Sequence, residues 1–401
     1  MMNKQIVLFF SLLLFVFLDV SAVRADQVDS LIKVLGEDDR GGKVTASRAL
    51  GEKGSKRAVV PLIKELNTKD GEVKAYIISA LVKIGEKSVT PLIDSLKTSK
   101  KWRIRAGSAD ALGEIGNDRA VMPLIGTLKD KSKSVRFSAI RALNHLQDMK
   151  MVEPMIEVAK TDKYYVNRNL AITVLAETND KRVVKPLIEL TKDADPMIRL
   201  DAVTAIGALS YKGVIAPLIN SLNDDDESVQ SIAKEGLYKL RGKGSFQPLV
   251  SALKNEDPMI RANASAVLGN IGRNEPVGRL ISLLTDAEDS VKLEAIIALG
   301  KIGDNHAVHQ LIATLSSLNN EIRMEVVDAL GKIKDKRALS TLIEALKDFD
   351  KHVRYNAVLA IGELQSQEAL DDLNGVAKND KEEFVRQIAK EVYARIKEFK
   401  K

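Results

Sequence analysis

The chain has 401 residues, of which 45% are hydrophobic, 29% charged and 4% aromatic, with a formal net charge of +6 and no cysteine. That aliphatic content excludes a disordered chain, and the absence of cysteine excludes disulfides, thiolate metal sites and cysteine nucleophiles. A small basic excess over so long a chain is not the charge of a dedicated nucleic-acid binder.

The first segment in chain order is residues 1–25. Lys4 precedes an apolar run from Ile6 to Leu18 broken only by Ser11, and Val23-Arg24-Ala25 before Asp26 has the form of a cleavage site. The run is shorter than the roughly 20 residues a spanning helix needs. The expectation is a secretory signal peptide, with an uncleaved anchor as the alternative. The remaining chain, 26–401, would then be exported to the periplasm or beyond, without a stable membrane span and with a net charge of +5.

From Asp26 onward a single period organises the chain. A Pro-Leu-Ile-like anchor begins at Pro61, Pro91, Pro123, Pro154, Pro186, Pro217 and Pro248. It continues without proline at Arg279, Gln310, Thr341 and Asp372, and occurs earlier at Ser30, giving twelve units of about 31 residues. A marker follows each anchor by 13 or 14 residues: Lys43, Lys74, Arg105, Arg136, Arg168, Arg199, Gln230, Arg261, Lys292, Arg323, Arg354 and Arg386. Beyond the marker the apolar residues keep helical spacing, as in Val291, Ala295, Ala298, Leu299 and Ile302.

Each unit therefore predicts a helix pair. Asp118, Asp180, Asp304 and Asp335 are placed to cap the first helix, and the anchor proline falls in its opening turns. The second helix starts near the marker and ends at Ile-Gly, where glycine suits a left-handed cap. One pair cannot cover its own apolar faces, so successive pairs must stack into one continuous core.

The anchor proline, the Val/Ile-Arg that opens the second helix and the Ala-Leu-Gly-x-Ile-Gly close (Ala111 to Gly116, Ala298 to Gly303) resemble HEAT repeats, in the short subtype also found in phycobilisome lyases. The resemblance covers residues 26–401 and implies an all-α fold, an α-solenoid of about twelve helix pairs. It says little about function. It also implies a structural ladder, one Arg and one Asp per repeat tying each turn to the next. The candidate ladder residues are Arg105, Arg136, Arg168, Arg199, Arg261, Lys292, Arg323, Arg354 and Arg386, with Asp130, Asp162, Asp193, Asp286, Asp348 and Asp380. Glu37 and Asp224 occupy the same carboxylate slot, six residues before a marker, whereas Ser99 stands in that slot ahead of Arg105.

The only tryptophan, Trp102, is surrounded by Lys97, Lys100, Lys101 and Arg103. By the period this is the turn between the two helices of the third unit, not a base-stacking site, because no second aromatic recurs there. Lys129, Lys131 and Lys133 follow in the next turn, with Lys160 and Lys163 in the fifth. Units six to nine place Asp195, Asp224 to Glu227, Glu256, Asp257, Asp286, Glu288 and Asp289 in theirs. Such sorting of charge suits a partner, or a second copy, recognised along the turns. The candidate partner-binding edge is Lys97, Lys100, Lys101, Trp102, Arg103, Lys129, Lys131 and Lys133.

No catalytic, cofactor or metal site is expected. His306 and His309 are three apart but lack a His-Glu-x-x-His context, and Gly242 and Gly244 do not complete a phosphate loop. The expected function is a non-catalytic protein-binding scaffold or adaptor without nucleic acid. The alternatives are a phycobilin-lyase-like enzyme or accessory, against which few aromatics and the export segment count, and a self-associating structural protein. Variable outward positions of the second helices, among them Arg48, Tyr76, Asp110, Arg141, Asp201, Glu294, Glu325, Asp328 and Asn356, offer a second surface.

Overall fold

The computed structural model describes residues 27–209 and 211–398, so the expected signal segment 1–25 lies outside the described residues. Among the described residues all regular structure is helical, and no strand occurs. The chain divides into two compact units, with the break between Pro186 and Leu187.

In the first unit, the helices Arg40–Lys53, Gly71–Ile84, Trp102–Ile115, Lys133–Leu146 and Tyr165–Glu177 pack one upon the next. In the second unit the succession is Pro196–Ala208, Glu227–Lys239, Pro258–Ile271, Asp289–Ile302, Asn320–Ile333, Lys351–Leu364 and Glu383–Glu398. These are the second helices of the repeats, and the fold is an all-α solenoid.

Most first helices are shorter than the spacing alone suggests, although Glu86–Thr98 in the third repeat runs unbroken for 13 residues. A 3-10 turn such as Lys56–Ala58 leads into a seven-residue α-segment, Val59–Glu65, with the anchor Pro61 in its first turn. Asp180, Asp304 and Asp335 accept backbone N–H bonds from Arg182, His306 and Arg337 and so start their turns. In the turn Asp118–Ala120 the cap is Asn117, which accepts from Arg119 N–H, and not Asp118 as expected. The leucine after the anchor carries the core: Leu62, Leu92, Leu124, Leu218, Leu249, Leu280 and Leu311 are fully buried. Each contributes about 1.5–3 kcal/mol by leaving water.

The two glycines of the Ala-Leu-Gly-x-Ile-Gly close do different work. Gly116 ends its helix at φ 73°, the left-handed cap. Gly113 lies inside the helix, where a Cβ would meet the Ala142 Cα at 2.6 Å, and Gly300 stands the same way against Ala329 at 2.9 Å. Consecutive second helices therefore touch backbone to backbone at a Gly–Ala contact. Replacing Gly113 by Ala gains about 1 kcal/mol of helix propensity, yet forces the next helix outward. We expect G113A to lower the unfolding temperature, with A142G in the same chain recovering part of the loss. Thermal melts of the two variants check this.

Candidate functional site

The ladder residues come first, because they fix the turns on which any site would be built. Arg105 donates from Nε and Nη2 to Asp130 at 2.6 and 2.8 Å, and its Nη1 reaches the Ser99 carbonyl at 2.9 Å. Arg136 grips Asp162 at the same two distances and donates to the Asp130 carbonyl at 2.8 Å. Within the second unit the same forks join Arg199 to Asp224, Arg261 to Asp286, Arg323 to Asp348 and Arg354 to Asp380. A rung thus runs from the marker of one repeat to the carboxylate of the next. Within its own repeat the marker needs only a carbonyl, which is why Ser99 suffices ahead of Arg105.

Several marker residues depart from the rung. Lys292, expected in the ladder, reaches Asp289 one turn back in its own helix at 2.6 Å. The next repeat has Ser317 in the carboxylate slot, and a lysine lacks the planar fork that binds a carboxylate through two parallel bonds. Lys74 reaches Asp110 instead, at 2.9 Å. Arg386, the last marker, donates to the Asp380 carbonyl and to Glu383. Arg168 is not one of these departures; it also takes a carbonyl of its own repeat, donating from Nε to Ala159 at 2.7 Å.

The sequence contains a rule that the separation of six had hidden. Every arginine marker with a repeat after it is followed there by Asp, at 130, 162, 193, 224, 286, 348 and 380. The non-arginine markers Lys43, Lys74, Gln230 and Lys292 are followed by Thr68, Ser99, Asn255 and Ser317. Marker and carboxylate change together, repeat by repeat.

Burial opposes the charged form at Asp130, Asp162, Asp224, Asp348 and Asp380. The arginine forks and the backbone N–H bonds outweigh it and hold these carboxyls below their usual 3.8. At Asp286 the Arg261 fork is itself the largest influence, in the same direction. A carboxylate whose folded value is depressed contributes stability that is complete above its unfolded value and is lost as pH falls through the folded one. We expect the unfolding temperature to fall steeply below about pH 4, and D130N/D162N to flatten that fall while lowering stability at pH 7. Melts across pH check both. We also expect K292R/S317D to build the missing rung: a double-mutant cycle should show a favourable coupling of about 1–3 kcal/mol, whereas each single change gains little.

The candidate edge lies wholly in the first unit. Trp102 and Lys133 are the first residues of their helices rather than turn residues, and Trp102 is 41% exposed with the Arg103 guanidinium 4.7 Å from its ring centre. A second aromatic does recur two repeats on, contrary to expectation. Tyr165 holds the slot of Trp102, three residues before its marker, and the neighbouring Tyr164 is exposed, with Lys133 Nζ 4.6 Å from its ring. One face of each of the Trp102 and Tyr164 rings is thus taken by the protein's own cation.

Lys97, Lys100, Lys101, Arg103, Lys129, Lys131, Lys133 and Lys163 form no ion pair with any carboxylate of the described residues. The nearby carboxylates Asp130 and Asp162 are spent on the rungs. Two grooves run between these turns. One is bounded by Lys97, Lys100, Lys129 and Lys131 over Met122 and Pro123, the other by Lys129, Lys131, Lys163 and Tyr164 over Leu128 and Pro154.

The acidic turns of the second unit are used differently. Asp195, Asp226 and Asp257 cap the helices that follow, and Asp224 and Asp286 belong to rungs. Of the outward positions, Asp110 proves buried at 9% exposure, held by Lys74 and 3.7 Å from Arg141. Burial pushes the Glu294 and Glu325 carboxyls above the usual glutamate value. His306 Nδ1 is 2.7 Å from Asp304 Oδ1, beside the cap. Among the described residues no three His, Asp or Glu side chains are grouped to hold a metal, and no helix is long and apolar enough to cross a membrane.

Stacked helix pairs, joined at six junctions by arginine–aspartate rungs, define a repeat solenoid whose turns carry the variable chemistry. The HEAT-repeat family model matches residues 28–112, 89–172, 152–238, 246–317 and 308–394, and the chain belongs to the HEAT-repeat family. Among curated proteins it resembles phycocyanobilin lyase subunit alpha of Picosynechococcus sp., at 27% identity over 137 residues, 31% of this chain. The match covers 51% of that protein, so the chain spans about half the length of this relative. Among solved structures, Kap95p bound to RanGDP aligns with a TM-score of 0.52 and 16% identity, covering 91% of this chain and 58% of Kap95p. An engineered protein aligns at 20% identity with a TM-score of 0.37, covering 92% of this chain and 98% of its own. These structural likenesses concern the fold alone.

Proposed function

We propose that this HEAT-repeat chain is a non-catalytic protein-binding scaffold, exported through its N-terminal segment, that engages a partner through the basic turns of its third to fifth repeats. The observation that carries it is the division of charge in the first unit. Asp130 and Asp162 are consumed by Arg105 and Arg136, while eight neighbouring cations have no carboxylate of their own. Unpaired charge of one sign adds little to the stability of a fold, and it steers and orients a partner of the other sign. The neighbouring exposed Trp102 is the kind of side chain that anchors interfaces. No side-chain group favours the lyase alternative, and the lyase relative matches less than a third of the chain.

The test is affinity capture from the native host's envelope fraction with residues 26–401 as bait, beside a bait in which Lys100, Lys101, Arg103, Lys131 and Lys133 are changed to Glu. A stoichiometric protein held by the first bait and lost from the second is the expected outcome. Equal recovery by both would move the contact away from these turns. A mature chain found in the cytoplasmic fraction with residues 1–25 intact would sink the export proposal.

A further inference from the structure

The cap position of the second helix, four residues before the marker, has one recurring occupant. Asp39 and Asp70 in the first unit, and Asp195, Asp226, Asp257 and Asp350 in the second, each accept backbone N–H bonds there, as does Asn319. In the third, fourth and fifth repeats the position holds Lys101, Ser132 and Tyr164, and none of these side chains caps its helix. The fold usually keeps a carboxylate in this turn, even at Glu288 where it does not cap, and three consecutive repeats have none, among turns where eight neighbouring cations form no ion pair. The two grooves described above share Lys129 and Lys131, so they continue one another across these repeats. Their linings are mixed: Met122, 61% exposed, and Pro123 lie in the first beside Thr98 and Thr127, and Leu128 and Pro154 lie in the second beside Glu157.

We propose, resting on the scaffold function above, that this face takes an extended acidic segment of the partner protein, laid across the turns of repeats three to five. Carboxylates of the segment meet Lys97, Lys100, Lys129, Lys131 and Lys163, and its apolar side chains lie over Met122 and against Trp102. Charge complementarity selects the occupant. A peptide supplies both carboxylates and apolar groups, whereas a nucleic acid offers bases to rings already covered on one face by Arg103 and Lys133. A second copy is the weaker fit, because Asp195, Asp224, Asp226, Asp257 and Asp286 of its acidic turns are engaged within the fold. Three repeats at roughly 10 Å each match an extended segment of about ten residues.

The experiment is titration of the full mature chain with a peptide of about ten glutamates carrying one leucine, followed by the emission of Trp102, the only tryptophan of the chain. Saturable binding that shifts this emission, and that weakens about tenfold or more between low and moderate salt, is expected. K129E/K131E should lose binding by at least about tenfold, while K254E/K347E, with the same charge change on exposed lysines of the second unit, should stay within about twofold. Lys101→Asn and Lys101→Ala remove the same charge, but only Asn can refill the cap. The Asn variant should be the more stable and the weaker binder of the two.

Peptide binding that leaves Trp102 unmoved, or that both double variants lose alike, would overturn the proposal. So would equal binding of an oligothymidylate or of polyphosphate, which would make the face a general polyanion site. Salt-sensitive dimerisation of the chain, abolished by K129E/K131E, would instead assign the face to a second copy and overturn the partner segment. A captured protein together with no peptide binding would leave the scaffold function standing and sink the acidic segment alone.

Discussion

The stack is held at six of its junctions by one fork. The guanidinium of Arg105, Arg136, Arg199, Arg261, Arg323 or Arg354 touches two successive repeats at once, through a carbonyl of its own turn and both oxygens of the next repeat's aspartate. That aspartate also accepts a backbone N–H from the start of the following helix, as Asp130 does from Ser132 and Asp162 from Tyr164. The rung therefore fixes the turn as well as joining repeats. A charge-assisted hydrogen bond is worth about 1.5–3 kcal/mol, and a bidentate pair adds direction to energy. With Arg105 and Asp130 only 7% and 13% exposed, removing either partner leaves a charge without water.

Rigid turns change what the exposed lysines can do. Lys129 and Lys131 flank Asp130, and Lys163 follows Asp162, so the backbone carrying these cations is pinned by the rungs beside them. Lysine side chains remain mobile, but their stems leave fixed points at the pitch of the repeat. A partner that matches that pitch gains several contacts for one ordering cost. In the second unit the same turns carry aspartates that end helices and complete rungs, so their charge is bound up in the fold. Repeats three to five thus use the turn differently from the first two repeats, where Asp39 and Asp70 cap, and from those of the second unit.

The sequence disclosed the architecture almost completely, because stacking imposes the same demands on every unit. A leucine must be buried after each anchor and a glycine must admit the next helix, so the period survives even where the proline is lost at Arg279 or Thr341. The ladder was half legible. Its residues stand out, and the resemblance implies that they tie one turn to the next, but their separation of six does not say that each marker takes the carboxylate 25 or 26 positions on. Only co-variation between neighbouring repeats, Arg with Asp and Lys or Gln with Ser, Thr or Asn, discloses the true connection. Charge alone does not distinguish a lysine from a fork, so the sequence groups Lys292 with the rungs. Helical phase alone turns Asp110 outward, because it does not report that Lys74, deprived of a carboxylate at Ser99, turns toward it.

A repeat chain hides its function in its period and discloses it where the period fails. Positions that every repeat keeps answer to stacking, and a change there costs stability that some other contact must restore. Giving up a helix cap costs about 1 kcal/mol, and three neighbouring repeats give it up while surrounding the vacancy with unpaired cations. No carboxylate within the described residues compensates, since Lys101, Ser132 and Tyr164 cap nothing and the eight cations form no ion pair, Lys133 and Arg103 meeting only aromatic rings. A departure that weakens the free chain at three adjacent places, always in the same direction of charge, has a physical account if the missing carboxylates arrive with another molecule.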